Sequence, residues 1–151
     1  MRVRPATQAD LEAVLLIYEG ARRFMAQSGN PGQWGTRYPS RETVEAEIAG
    51  ERCYVCEEEG RLYAAFVLVF GEDPTYRVID GAWKNDRPYA TLHRVASSGE
   101  KRGMVDVIVK RGDTHERNLP MRRAFERNGF ERCGTIWVED GTPRIAYQKE
   151  G

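Results

Sequence analysis

The chain has 151 residues, the size of a single domain that can bury a full hydrophobic core. Hydrophobic residues make up 40% of it, charged residues 30%, and its formal net charge is zero. This composition is typical of a globular protein and argues against nucleic acid or an anionic membrane as a partner attracted by bulk charge. No apolar run approaches the roughly 20 residues that span a bilayer. We therefore expect one cytoplasmic domain over residues 1–151, either a monomer or a homodimer.

The N-terminal part predicts a strand followed by a long helix. Val3 to Pro5 has the character of a strand and not of a signal peptide. Thr7 to Asp10 resembles a capping box. Apolar residues then recur at helical spacing as far as about Gln27, which predicts an amphipathic helix.

A loop and a second helix follow. The loop carries Trp34 and Tyr38, aromatic residues that either line a pocket or close the core. Ser40 is a suitable N-cap for a helix from Arg41 to Ala49, and Gly50 is a suitable end for it.

The next segment predicts a hairpin of two strands, Arg52 to Glu57 and Arg61 to Phe70, the second apolar enough to be central. Cys53 and Cys56 have the C-x-x-C spacing of metal sites. An odd separation on a strand places the two thiols on opposite faces, so they cannot share an ion. With Cys133 the count is odd, and we expect structural thiols and no metal.

A further strand begins at Tyr89 and contains the β-branched Thr91 and Val95. It leads into small and basic residues that end at Gly103. Such a loop can turn its backbone N–H groups toward an anion, as phosphate-binding loops do, but these residues suit an ordinary surface loop equally well. The pattern alone does not assign the following segment, Met104 to Gly112, to helix or strand.

The C-terminal part is clearer. Asn118 is a suitable N-cap for a helix with Pro120 in its first turn and Gly129 at its end. Two strands, Phe130 to Trp137 and Pro143 to Gln148, complete the chain through a hairpin turn.

Four segments resemble one protein family. They are Arg4-Pro5-Ala6-Thr7-x-x-Asp10, Leu92 to Ser97, Asp113-Thr114-His115, and Asn118-x-x-Met121-x-x-Ala124-Phe125-x-Arg127-x-Gly129-Phe130-x-x-Cys133-Gly134. Their order resembles a bacterial branch of the GNAT N-acetyltransferases over essentially the whole chain. The resemblance implies a mixed α/β fold, with a central, mostly antiparallel sheet that contains a splayed parallel pair and is flanked by helices.

The resemblance also implies an enzyme that moves an acetyl group from acetyl-CoA to a primary amine of a small molecule or peptide. Acetyl-CoA would enter a cleft between the strand with His93 to Ser97 and the strand that ends at Asp113 to His115. The Val95 amide would polarise the thioester carbonyl. The implied cofactor contacts are Arg94, Val95, Ala96, Lys101, Arg102, Gly103, Met104, Val105, Asn118 and Phe125.

The sequence departs from the family pattern at two places. The pyrophosphate loop has Glu100 and Val105 where the family has Gln or Arg and Gly or Ala. Only nine residues separate Gly103 from Asp113, too few for the usual helix and strand, so either the segment is shortened into a tight crossover or residues are missing from the chain as written. Many members also have a proton-donating Tyr where this chain has Phe125. These departures favour an alternative, a non-catalytic CoA-binding or regulatory module.

The candidate general bases are His93 and His115, since a neutral imidazole can accept a proton from an ammonium near neutral pH. For each, the alternative that the residue type favours is a partly buried histidine that bonds to the backbone. The candidate acceptor site is an acidic, aromatic mouth that suits a cation, with the alternative that its rings only close the edge of the core. Its predicted residues are Trp34, Asp73, Tyr76 and Trp83.

Overall fold

A computed structural model describes residues 2–30, 32–35, 38–97 and 110–150. Within these residues eight strands form one mixed sheet. The strands are β1 (Arg2–Pro5), β2 (Cys53–Glu58), β3 (Arg61–Phe70), β4 (Asp80–Gly81), β5 (Ala90–Ser97), β6 (Lys110–Thr114), β7 (Glu131–Trp137) and β8 (Pro143–Lys149). The helices are α1 (Leu11–Gln27), α2 (Arg41–Ala49) and α3 (Leu119–Arg127).

The strand order is β1-β2-β3-β5-β6-β8-β7-β4. β5 and β6 are parallel, whereas β2 is antiparallel to β1 and β3, and β8 is antiparallel to β6 and β7. The expected fold class, a mostly antiparallel sheet with one parallel pair and flanking helices, is confirmed. No helix in the described ranges is long and apolar enough to cross a membrane.

The described residues form two compact units. The first contains residues up to 68 together with 93–97, and the second contains 69–92 together with 110–150. The expectation of a single domain over the whole chain stays a prediction.

The core of the first unit is built by α1, α2 and β2. The stripe of α1 that is predicted to face inward does so, with Val14 and Tyr18 essentially inaccessible. α2 has the predicted bounds, and the Ser40 hydroxyl accepts a hydrogen bond from the backbone N–H of Thr43 at 3.2 Å. Val44 is buried against the same core. Helix start, helix end and inward face therefore follow directly from the sequence.

Both cysteines of the C-x-x-C pair lie in β2 and are buried free thiols. Burial raises the pKa of Cys53 to about 11, because an apolar environment disfavours the thiolate. Cys53 belongs to the core of the first unit. These thiols are therefore packing residues that stay protonated at neutral pH.

The second unit contains a close approach between two glycines that the sequence does not predict. Gly81 of the short strand β4 lies opposite Gly134 of β7. A Cβ atom on Gly134 would lie 2.1 Å from the carbonyl oxygen of Asp80. Only residues without side chains allow the two backbones to come this close. The sequence does not predict β4, because a strand of two residues is too short to show an alternation of polar and apolar side chains.

The first residues of strand β6 lie in the segment that the pattern does not assign to helix or strand. The first two residues of β6, Lys110 and Arg111, are 2% and 5% exposed. Charged residues beside a glycine resemble a loop, yet here they form the interior of a strand paired with β5 and β8. The predicted break or crossover between Gly103 and Asp113 lies largely outside the described residues.

Candidate active site

The parallel strands β5 and β6 are neighbours, as predicted. Ala90 pairs with Lys110 and Thr91 pairs with Arg111. β5 continues to Ser97 and β6 to Thr114, but among the described residues their mutual pairing ends at these two positions. A parallel pair that stops after two residues leaves the following main chain of each strand outside their shared ladder.

The next irregularity in β5 is at Arg94, which has a φ of 47°. Two other non-glycine residues in the described ranges have positive φ, but Glu51 follows the end of α2 and Glu59 lies in a hairpin turn. Arg94 is inside a strand. This conformation costs an arginine about 1–2 kcal/mol and redirects the peptide group that follows. The redirected N–H is that of Val95, the predicted oxyanion donor.

The Arg94 side chain is held in the first unit by α2 and the loop before it. Its guanidinium forms an ion pair with the Glu47 carboxylate and donates a hydrogen bond to the Tyr38 hydroxyl at 2.5 Å. The side chains of Arg94 and Glu47 are only 13% and 15% exposed. A second arginine, Arg52, donates to the other carboxylate oxygen of Glu47 at 2.9 Å. The predicted contact of Arg94 with the cofactor is therefore restricted to its main chain.

Ala96 and Trp34 belong to the core of the first unit. The Trp34 ring is 8% exposed and packs edge-on against Tyr18 and Tyr38, with ring centres 5.6 and 6.0 Å apart. Of the two interpretations of this loop, the structure shows the one in which its tryptophan closes the core. Its role in acceptor binding stays a prediction.

The predicted pyrophosphate loop is not described by the structure. Its residues Lys101, Arg102, Gly103, Met104 and Val105 all lie outside the described ranges. Their cofactor contacts stay predictions.

Asn118 caps α3, as predicted, because its Oδ1 accepts from the backbone N–H of Met121 at 3.2 Å. Phe125 is 1% exposed and stacks on Tyr147 with ring centres 4.7 Å apart. A Cβ on Gly112 of β6 would lie 2.8 Å from the Phe125 ring. The phenylalanine that replaces the family's tyrosine is therefore a packing residue under β6, and a glycine there makes room for it.

One of the two candidate bases, His115, has a defined tautomer. His115 Nδ1 accepts from the backbone N–H of Arg117 at 3.1 Å. Burial, followed by the nearby Arg144 cation, lowers the pKa of His115, so the ring is neutral at pH 7. A neutral imidazole with Nδ1 as acceptor carries its proton on Nε2 and presents a donor there. His93 is half-buried on β5, directly before Arg94.

Two aromatic rings of the second unit, backed by a third, cover an arginine. The guanidinium carbon of Arg111 lies 4.3 Å from the ring centre of Trp83 and 4.0 Å from that of Tyr89. Arg111 Nη2 donates to the backbone carbonyl of Asn85 at 2.7 Å. Tyr76 lies against both rings at 5.1 and 6.2 Å. The ring faces that the sequence predicts for an external cation therefore bind a cation of the same chain.

Several polar groups of this cluster bond to other groups of the chain, although Arg111 Nε is buried without a hydrogen-bond partner. The Tyr76 hydroxyl donates to Asp113 Oδ2 at 2.7 Å, and Trp83 Nε1 donates to the carbonyl of Tyr76 at 2.9 Å. Complete burial raises the pKa of Tyr76 well above its ordinary value, so the hydroxyl is a donor at neutral pH. Asp73 Oδ1 accepts from the N–H and hydroxyl of Thr75. The structure thus brings together three of the four predicted acceptor residues, Asp73, Tyr76 and Trp83, in the second unit, while Trp34 belongs to the first.

Sequence reasoning placed Asp113 at the end of the strand next to β5 but did not predict its hydrogen bond to Tyr76, and it missed Arg111. Arg111 lies in a segment that the pattern does not assign to helix or strand. No group of three or more metal-ligating side chains occurs among the residues that the structure describes.

Comparison with solved structures gives the class of the protein. A GNAT-family acetyltransferase from Streptococcus agalactiae is 29% identical to this chain. The match covers 99% of this chain and 95% of that protein, with a TM-score of 0.88. An acetyltransferase from Staphylococcus aureus, 24% identical, covers 99% of both chains with a TM-score of 0.68. A GNAT-family acetyltransferase from Listeria monocytogenes, 21% identical, covers 99% and 94% with a TM-score of 0.66. No protein-family model and no curated protein matches the sequence.

The mixed sheet with its briefly paired parallel strands and the irregular β5 define the GNAT fold. The predicted resemblance is confirmed, because the chain is similar over nearly its whole length to GNAT-family acetyltransferases of bacteria. The chain has the GNAT fold, and these neighbours support an acetyltransferase function.

Proposed function

We propose that the protein moves an acetyl group from acetyl-CoA to a primary amine of a small molecule or a peptide. The observation that carries the proposal is the left-handed Arg94 in β5, just beyond the end of the pairing with β6. A positive φ inside a strand turns the following peptide group, which carries the Val95 N–H, away from regular strand geometry. An N–H fixed in this way can stabilise the oxygen of an acyl group under attack. The main chain from Arg94 to Ala96 would hold the pantetheine arm.

The chemistry needs few protein groups. The neutral amine attacks the thioester carbonyl and a C–N bond forms. The C–S bond breaks, CoA leaves as a thiolate, and the nitrogen releases a proton to solvent as it becomes an amide. The Val95 N–H stabilises the charge on the carbonyl oxygen. Phe125 has no proton to give, so water or another group protonates the thiolate, which is a tolerable leaving group.

The incoming ammonium must lose a proton first, and we propose His93 as its acceptor. His115 Nδ1 already accepts a backbone hydrogen bond, which leaves a donor at Nε2. His93 lies on the same strand as Val95, two residues before it.

The contacts of Arg111 restrict how an acceptor could bind near the aromatic cluster. Arg111 covers ring faces of Trp83 and Tyr89, so cation–π binding of an acceptor cannot use those faces. We propose a small or peptidic amine that is recognised by carboxylates such as Asp73 at the edge of this cluster, with the rings as a rigid wall.

A second candidate function is a CoA-binding module without turnover. It is favoured by Phe125, which lies in the core in place of the proton-donating tyrosine of many members of the family. The two candidates differ in one measurable property, which is thiol release in the presence of an amine.

Calorimetry with acetyl-CoA, followed by thiol release over a panel of amines, tests both candidates. Binding with thiol release that depends on the amine supports the enzyme. Binding without release on any amine favours the module, and no binding contradicts both.

A further inference from the structure

The backbone at Arg94 is in a conformation that a non-glycine residue adopts only when its surroundings impose it. The strand itself does not impose it, because extended backbone is the relaxed state of a strand residue. Something outside β5 must therefore hold Arg94 in place.

The side-chain contacts of Arg94 supply this restraint. Its guanidinium is anchored from two directions, by the Glu47 carboxylate and by the Tyr38 hydroxyl at 2.5 Å. Both anchored side chains of the ion pair are largely buried, so the pair is weakly screened by water. Arg94 Nε is buried without a hydrogen-bond partner, which shows that the side chain is positioned for these two contacts at the expense of another.

Glu47 is itself fixed on rigid structure. It lies in α2, whose start is capped by Ser40. Its other carboxylate oxygen accepts from Arg52 Nε at 2.9 Å. The carboxylate therefore cannot follow Arg94 if the strand relaxes, and it acts as a fixed point.

We infer that Glu47 and Tyr38 clamp Arg94 in its left-handed conformation and so aim the Val95 N–H at the acyl carbonyl. Arg94 and Glu47 are positioning residues for the transfer, and neither touches the reacting atoms. The inference rests on the proposed function for its chemical consequence, although the clamp itself is a property of the folded chain.

Two substitutions of the same residue separate positioning from simple loss of an ion pair. Arg94→Ala removes the clamp and disfavours positive φ, so the strand should relax and kcat should fall about 100-fold, as when one oxyanion donor is lost. Arg94→Gly removes the same clamp but adopts positive φ without strain, so kcat should stay within about tenfold of the wild type. If Arg94 only stabilised the fold, glycine would be no better than alanine.

Substitution at the anchor gives the matching comparison. Glu47→Gln should lower kcat more than it raises the KM for acetyl-CoA. Arg41→Gln removes an exposed ion pair between the same helix and Glu12 and leaves both contacts of Arg94 intact, so its kcat should match the wild type. Equal losses in Glu47→Gln and Arg41→Gln would overturn the inference, and so would equal losses in the alanine and glycine variants.

Crystal structures of the two Arg94 variants decide the matter even if no amine is acetylated. The inference predicts a negative φ at position 94 in the alanine variant and a positive φ in the glycine variant. A positive φ retained by alanine overturns the clamp and leaves the proposed function standing. If the alanine variant has a negative φ and the wild-type protein acetylates no amine, the inference about the clamp stands and the proposed function is wrong.

Discussion

The guanidinium carbon of Arg111 lies 4.3 Å from the ring centre of Trp83. The sequence assigns this ring to an acceptor cation, but the cation that it binds is internal. Arg111 is 5% exposed and has no acidic partner in the described ranges, so the rings and the Asn85 carbonyl carry most of its stabilisation.

Replacing Trp83 with alanine should therefore destabilise the protein. The substitution leaves a buried guanidinium without one of its two ring faces, and we expect the free energy of unfolding to fall by about 3 kcal/mol. Urea denaturation measures this loss. Trp137→Ala is the control, because that ring is 43% exposed and its loss should change stability by about 0.5 kcal/mol or less.

The same variant tests the role of Trp83 in acceptor binding. If the ring is architecture, the KM values for acceptor and acetyl-CoA should change by similar factors. A large increase in the acceptor KM alone, with the unfolding free energy unchanged, would show that Trp83 binds the acceptor.

Gly134→Ala should lower the unfolding free energy by about 2–4 kcal/mol. The new Cβ would lie 2.1 Å from a backbone oxygen, and the φ of 152° is unfavourable for alanine. Gly20→Ala is the matched control, since its site in α1 is open and helical, and it should raise stability by about 0.5–1 kcal/mol. Similar thermal midpoints for the two variants would contradict the close approach of β4 and β7.

Asp10 should make the stability depend on pH in the acid range. Arg4 Nη1 donates to its Oδ2 at 2.7 Å and Arg4 Nη2 to its Oδ1 at 3.0 Å. These bonds lower the pKa of Asp10 from 3.8 to about 2. A depressed acid stabilises the fold above its unfolded pKa, and this contribution is lost as pH falls from about 4 through 2.

The loss should reach about 1–2 kcal/mol. Urea denaturation of the wild type and Asp10→Asn at a series of acid pH values measures it. The Asp10→Asn variant should be less stable near neutral pH, and its unfolding free energy should depend less on pH in the acid range. Asp86→Asn is the control, because that carboxylate is exposed and its removal should leave the pH dependence unchanged. If Asp10→Asn kept the full dependence of unfolding free energy on pH, the ion pair with Arg4 would not be the cause of that dependence.

The pH profile of the transfer reaction separates the two histidines. His93→Gln should remove the acid limb of kcat/KM, because the proposed proton acceptor is gone. His115→Gln should keep that limb, because the His115 Nδ1 is already bonded and the ring presents a donor. The opposite result would make His115 the base and would require its hydrogen bond to Arg117 to open.

The elements that follow from the sequence are those with a local physical signature. The bounds of α2 follow from the Ser40 cap and the glycine after it, and the long helix α1 from its apolar stripe. Such signals lie within a few residues of each other, so one sequence is enough to detect them.

The features that were missed depend on contacts distant in sequence. Arg111 can occupy a strand interior only because Trp83 and Tyr89 cover its guanidinium, and nothing in Lys110-Arg111-Gly112 signals that. The left-handed conformation of Arg94 likewise depends on Glu47 in another element. The sequence therefore predicts which residues belong to the candidate site, but it does not predict the contacts that hold these residues in place.

The most direct test of acetyl transfer is mass spectrometry of an amine panel incubated with acetyl-CoA and the purified protein. The account predicts an N-acetylated amine formed in equal amount with free CoA, absent without protein and strongly reduced with the Arg94→Ala variant. Free CoA without an acetylated amine, or acetyl-CoA recovered intact in every reaction, would contradict it.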